Sequence, residues 1–195
     1  PTYGIESDGM PRASLDGGDG LVQADITGTP AAQAAVTYAL QLYTDPTASS
    51  FTYFLSDSDA AVGVRSLGLN SGNLRIGATG GYAGPAIGSA EKSIVVSFGA
   101  GATAACRGTV DGGAASTNNV SIPAATYTRR VIGANASASN LIGSYYIGKI
   151  YELFVANVVF STDQENLAHG YLAWKYGNES ALPGGHAYKS APPMV

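Results

Sequence analysis

At 195 residues the chain has room for one well-buried core, and a formal net charge of -4 with a pI near 5.0 supplies no basic footprint, which argues against nucleic acid as a partner. Charged residues make up 12% of the chain, about half the roughly 25% of ordinary globular proteins, so much of the surface is neutral and suited to being covered by partners. No apolar run approaches the ~20 residues of a spanning helix, no signal-type leader precedes the first turn, and the single cysteine, Cys106, excludes an internal disulfide. A membrane partner is therefore not expected, and the composition fits cytoplasmic synthesis followed by assembly.

In chain order, residues 1 to 12 carry two prolines and two glycines without periodicity and read as an extended arm. Asp16-Gly-Gly-Asp19-Gly20 is a turn leading into a strand from Leu21 to Ala24. Two carboxylates three apart resemble the start of a calcium loop, but calcium takes about six to eight oxygens and few side-chain oxygens lie nearby, so a plain turn is expected and no metal. Val36, Tyr38, Leu40 and Leu42 alternate with Thr37, Ala39, Gln41 and Tyr43 as a half-buried strand ended by Asp45-Pro46. Phe51, Tyr53 and Leu55 repeat that pattern, followed by Val62, Val64 and Leu67, and by Leu74 and Ile76. The stretch from Gly77 to Gly84 lacks the Lys-Ser or Lys-Thr of a phosphate loop and reads as a flexible Gly-rich loop carrying Tyr82.

Ile94, Val96 and Phe98 supply a central strand and Ala104 to Val110 another, in which Cys106 alternates in phase with Val110 as a buried structural thiol. Asp111-Gly112 has hairpin turn chemistry, and Tyr127 to Ile132 forms the next strand. Ile147 to Phe160 is β-branched, aromatic or aliphatic, with a bend expected at Asn157. A capping box, Ser161-Thr-Asp-Gln164, then opens a helix over 161 to 176, with Asp163 and Glu165 at its positive end, Lys175 in its last turn and Gly177 as its stop. Leu167, Tyr171 and Trp174, with Ala168 and Leu172 beside them, form the face expected to dock. Turn signals every 8 to 12 residues with a single helical segment predict an all-β fold: a two-sheet antiparallel sandwich over 13 to 177, flanked by the arm and an extended tail over 178 to 195.

Gly148-Lys-Ile150-Tyr-Glu152, an apolar strand, and a Ser-capped helix bearing Gly170-Tyr-Leu-Ala-Trp-Lys-Tyr-Gly177 resemble the end of a concanavalin A-like, laminin-G-type jelly roll. Leu182-Pro-Gly-Gly-His186-Ala-Tyr-Lys189 with Pro192-Pro193 is similar to the version found in bacteriophage virion proteins and bacterial surface proteins. Ser14 to Val22 resembles that family's opening strand, and Gly108 to Gly112 its late hairpin, so the resemblance spans nearly the whole chain. It implies a fold more than an activity.

No chemistry is indicated. Glycoside hydrolases on such folds need two close carboxylates, whereas Glu6, Glu91, Glu152, Glu165 and Glu179 are scattered, and the resemblance implies that Glu152 is structural, a carboxylate satisfied by turn amides. His169 and His186 lack partners at zinc or triad spacing and read as solvated or stacked rings. No cofactor is expected. Tyr82 and the Tyr145-Tyr146 pair are the candidates for stacking on a sugar, while Tyr188, Pro192, Pro193 and Met194 make the tail a docking strap and candidate assembly contact. The preferred function is a non-enzymatic outer capsid decoration subunit of a phage particle, on the capsid or tail exterior, bound to a major capsid or other virion protein and to other copies of itself as a trimer. The alternative is a carbohydrate-binding adhesin or receptor-binding module of a tail fibre or bacterial surface, and a hydrolase or lyase ranks last.

Overall fold

A computed structural model describes residues 2–5, 11–18, 20–24, 34–45, 51–58, 63–77, 81–123, 129–136 and 142–194. In chain order its strands are β1 (Thr2–Ile5), β2 (Pro11–Asp16), β3 (Leu21–Ala24), β4 (Val36–Thr44), β5 (Phe51–Ser58), β6 (Gly63–Asn70), β7 (Asn73–Ile76) and β8 (Tyr82–Ala86). They continue with β9 (Glu91–Phe98), β10 (Thr103–Val110), β11 (Ser116–Ser121), β12 (Arg129–Ile132), β13 (Asn135–Ala136), β14 (Ile142–Gly143) and β15 (Ile147–Ala156), ahead of α1 (Thr162–Lys175). A seven-stranded sheet in the order β1-β2-β15-β4-β9-β10-β11 faces a six-stranded sheet in the order β3-β12-β5-β6-β7-β8, and every ladder between these strands is antiparallel. The expected two-sheet sandwich with one helix is thus the observed fold.

The core lies between the sheets. Tyr38, Leu40 and Leu42 of β4, Ile94, Val96 and Phe98 of β9, and Cys106 of β10 meet Phe54, Leu55, Leu67, Leu69, Leu74 and Ile76 from the other sheet. One polar clamp bridges the layers inside this core. Asp57 of β5 accepts hydrogen bonds from Arg130 Nε (2.7 Å) and Nη2 (2.9 Å) on β12, and from the Tyr38 hydroxyl across the sandwich. Burial works against the Arg130 charge, but the Asp57 carboxylate more than offsets it and holds the guanidinium pKa above its ordinary value.

Several sequence expectations are corrected. The extended arm read over residues 1 to 12 contains an edge strand that sequence periodicity did not mark, Thr2–Ile5, pairing with β2 from Thr2↔Ser14 to Ile5↔Pro11. β4 is buried on both faces, because Thr37, Ala39 and Gln41 lie under the segment that covers the sheet: Thr37 Oγ1 donates to the Val158 carbonyl at 2.6 Å, and Leu172 of α1 packs on Ala39 and Val95. β8 takes in the end of the supposed Gly-rich loop, from Tyr82 to Gly84, since Gly and Pro weaken a strand without forbidding one at a sheet edge, where a strand is paired on one side only. β11 went unread because STNNVS has a single apolar residue, Val120, to mark its period. Val62, Tyr127 and Asp19 lie outside the described residues.

The helix docks by a different face from the one its apolar residues suggest. Glu165, His169, Leu172 and Ala173 are buried, while Leu167 remains 36% exposed. The outer face of the seven-stranded sheet decides this, because it presents Ser93, Arg107 and Thr109, which bond the helix's polar residues.

Candidate functional site

The outer face of the six-stranded sheet gathers an aromatic and arginine cluster. β6 and β7 are joined by a two-residue turn with Ser71 (φ 51°) and Gly72 (φ 79°) left-handed, the tight hairpin geometry that sets the register Asn70↔Asn73 and Gly68↔Arg75. β5 pairs Phe51 with Asn70 and Tyr53 with Gly68. Residues on one face of a sheet recur every second position, so one row holds Tyr53, Gly68 and Arg75 and the next holds Phe51, Asn70 and Asn73. Gly68 is required there, since a Cβ would lie 2.2 Å from the Thr52 carbonyl oxygen, and its bare backbone leaves room for a long side chain to cross. Arg75 does cross: its Cζ lies 4.4 Å from the Phe51 ring centroid and 5.3 Å from that of Tyr53, and Nη1 donates to the Tyr53 hydroxyl. Burial raises the Tyr53 phenol pKa, with Arg75 pulling the other way, so the hydroxyl stays protonated.

Phe51 is 42% exposed and meets Tyr53 edge-on at 6.0 Å between centroids. Tyr145 joins the same region through a bridge to Tyr53 and packs, half-buried, against Val131 and Ala134. Of the three tyrosines expected to stack on a ligand, Tyr145 alone is shown beside this face. Tyr146 is corrected to a core residue: it is buried against Phe54, donates to the Tyr43 carbonyl at 2.8 Å, and burial raises its pKa. Tyr82 opens β8 opposite Ile76, and its side chain lies outside the described residues. Phe51, Asn70, Asn73 and Arg75 were missed. Asn-Ser-Gly-Asn is a readable hairpin signal, and with Leu74 and Ile76 inside it puts Asn73 and Arg75 on the outer face.

Two further depressions lie on the seven-stranded sheet. One, about 390 Å³, is lined by Ser97, Arg107, Thr117, Asn118, Asn119 and Val159 among others. The other, about 560 Å³, is an apolar groove between β15 and α1 walled by Phe154, Val155, Phe160, Leu167 and Tyr171.

A Ser, His and Asp do converge under α1, but they cannot act as a triad. His169 Nδ1 is 2.7 Å from Ser93 Oγ and Nε2 is 2.8 Å from Thr109 Oγ1, while Asp111 accepts from the Ser93 backbone N–H at 2.9 Å and touches the serine instead of the imidazole. All four residues are buried, which corrects the reading of His169 as solvated. Burial, aided by the nearby His186, pulls the His169 pKa down to about 3, so the ring is a neutral staple. The carboxylates are also committed: Glu165 to Arg107 at 2.9 Å, Asp111 to Lys92 at 2.7 Å, and Glu152 to Lys175 at 2.9 Å and the Tyr176 hydroxyl at 3.1 Å, in place of the turn amides expected for it. Asp16 accepts from the Gly18 N–H at 3.0 Å in a turn, and Asp19 lies outside the described residues. Among the described residues no group of three or more His, Cys, Asp or Glu is placed to hold a metal ion, and no helix is long and apolar enough to cross a membrane.

The tail folds back on its own domain. Trp174 Nε1 donates to the Tyr188 carbonyl at 2.8 Å, Tyr188 lies on Gly170, and Lys189 Nζ donates to the carbonyls of Glu179, Ser180 and Leu182. Leu182, His186 and Pro193 are buried, Pro192 is exposed, and Met194 is 99% exposed and anchors nothing within the chain.

No protein-family profile and no curated protein matches this chain. Solved structures do. A Ruminococcus gnavus IT-sialidase CBM40 bound to α2,3-sialyllactose is 14% identical with a TM-score of 0.59, covering 78% of this chain and 92% of that one. The receptor-binding domain of a botulinum neurotoxin C/D mosaic serotype is 10% identical with a TM-score of 0.60, covering 87% of this chain and 44% of that one. Mouse laminin α1 domains LG4-5 are 16% identical with a TM-score of 0.53, covering 77% and 42%. The chain also spans 27% of the length of a NanB sialidase chain. At these identities what is shared is the fold, a laminin-G-type jelly roll.

Proposed function

We propose that this domain is a non-enzymatic carbohydrate-binding module that works outside the cell, on a bacterial surface or a virion exterior. The observation that carries the reading is the open sheet face on which Phe51, half exposed, lies beside Arg75, Asn70 and Asn73: an apolar ring to stack on a sugar, with amides and a cation placed to bond its hydroxyls. The fold shared with a sialyllactose-bound CBM40 and with a toxin receptor-binding domain supports a binding role. The commitment of Asp111, Glu152 and Glu165 to cations supports the absence of glycosidase chemistry, which needs one carboxyl kept protonated and a second nearby. A glycan array followed by calorimetric titration tests this, with Phe51→Ala expected to weaken binding about tenfold, equivalent to ~1.4 kcal/mol, without lowering the melting temperature. Unchanged affinity in that variant would remove the site from this face.

A second reading, the capsid decoration subunit, draws on one feature: Phe154, Val155, Val158, Val159 and Leu167 are all exposed around the β15–α1 groove. Such a patch suits assembly with a virion protein or with further copies in a trimer, and the exposed Pro192 and Met194 are additional contacts in that case. Light scattering of the purified domain, with Phe154→Asp as the disrupting variant, tests that reading.

A further inference from the structure

The geometry at Arg75 points to the class of sugar: we infer that this face selects carboxylate-bearing glycans, with the Arg75 guanidinium as the carboxylate receptor. The inference rests on the glycan-binding role proposed above. Arg107 and Arg130 each hold a carboxylate, Glu165 and Asp57 respectively. Arg75 has no ion-pair partner among the described residues; it spends one N–H on the Tyr53 hydroxyl and lies over two aromatic rings. A guanidinium carries five N–H donors in a planar fork that matches a carboxylate bidentately. Held by the Tyr53 hydroxyl and packed against the Phe51 and Tyr53 rings, the cation is already restrained, so binding an anion costs little further side-chain entropy.

The neighbouring row fixes the rest of the ligand. Phe51, Asn70 and Asn73 lie two residues along their strands from Tyr53, Gly68 and Arg75, a spacing of about 7 Å. The side chains close that gap, since Arg75 Cζ lies 4.4 Å from the Phe51 ring centroid. A sugar packed against the exposed part of Phe51 therefore has the guanidinium within reach of its carboxylate, while its hydroxyls meet the Asn70 and Asn73 amides. An acidic peptide fits less well: the site is a sheet face whose backbone groups are spent in the β5–β6–β7 ladders, leaving no edge for a strand to join.

The test is an array of hexuronate and nonulosonate oligosaccharides beside their carboxyl-reduced counterparts and a hexaglutamate peptide, with calorimetry on the binders for wild type, Arg75→Gln, Arg75→Lys and Phe51→Ala. The expected result is preference for carboxylated over reduced glycans by at least tenfold, loss of that preference in Arg75→Gln, partial recovery in Arg75→Lys, and weakening by added salt. Thermal melts show whether Arg75→Gln is folded; if it is not, the carboxylated-to-reduced ratio in wild type decides by itself. Equal binding of both glycan forms, with Phe51→Ala still weakening each, overturns the carboxylate inference and leaves the glycan-binding reading standing. Hexaglutamate binding as tightly as any glycan overturns it in favour of a peptide ligand. No binding to any glycan overturns both.

Discussion

His169 shows how far a single residue's role depends on what covers it. Fixed between the Ser93 and Thr109 hydroxyls and fully buried, it has a folded-state pKa of about 3, against an ordinary value of 6.5. The unfolded chain therefore binds one more proton than the folded one throughout that interval, and stability rises with pH across it. Its contribution is complete above pH 6.5 and is lost at about 1.4 kcal/mol per pH unit as the pH falls toward 3. His186, whose pKa burial also lowers, adds in the same direction. Urea denaturation at a series of pH values from 7 to 4 should show this slope, and His169→Gln should be less stable at pH 7 and show a shallower one. An equal slope in the variant would assign the acid sensitivity to the carboxylates. Sequence reasoning could not reach this, because a histidine's partners here come from β9 and β10, sixty or more residues away.

At the scale of elements, the tail is an internal strap. Gly170 explains why it can lie on α1: a Cβ there would be 2.6 Å from the Tyr188 ring, so only glycine lets the two approach. Lys189 closes the turn after the helix through three carbonyls at 3.1, 2.7 and 2.7 Å. Truncation before Leu182 removes that residue's burial, worth about 2 kcal/mol, together with the Trp174 hydrogen bond. The isolated domain should then melt roughly 5 to 10 °C lower, whereas Met194→Ala should leave its melting temperature unchanged. A truncation without thermal effect would show the packing to be marginal. The helix itself was legible: the capping box forms, with Ser161 Oγ accepting from Gln164 N–H at 3.3 Å and Gln164 Oε1 accepting from Ser161 N–H at 2.9 Å. Its buried face was not, because the surface beneath is polar.

Across the whole molecule, the Asp57–Arg130–Tyr38 clamp ties one sheet to the other inside a core that also buries Arg65 over Phe98. Removing one partner of a buried pair strands the other charge, so Asp57→Ala should destabilise the domain by about 3 to 5 kcal/mol. Replacing both with apolar residues, Asp57→Leu with Arg130→Met, should recover most of that loss if the clamp sets register and not net stability. Denaturant titrations of the three proteins decide between these outcomes, and a single-variant cost below 1 kcal/mol would mean that solvent reaches Arg130.

Sequence by itself determined the class of fold, most strand positions, the helix and its caps, because alternation, turn chemistry and capping are local and operate over a few residues. It also limited the chemistry, through carboxylates and histidines without local partners. Tertiary structure decided what those residues do. It covered β4 on both faces, withdrew Tyr146 into the core and left Met194 in solvent. It also brought Phe51, Asn70, Asn73 and Arg75 from three strands onto one face. Which side chains share a surface depends on strand order and register, which are set by the packing of the whole sandwich, and no stretch of this chain encodes that alone.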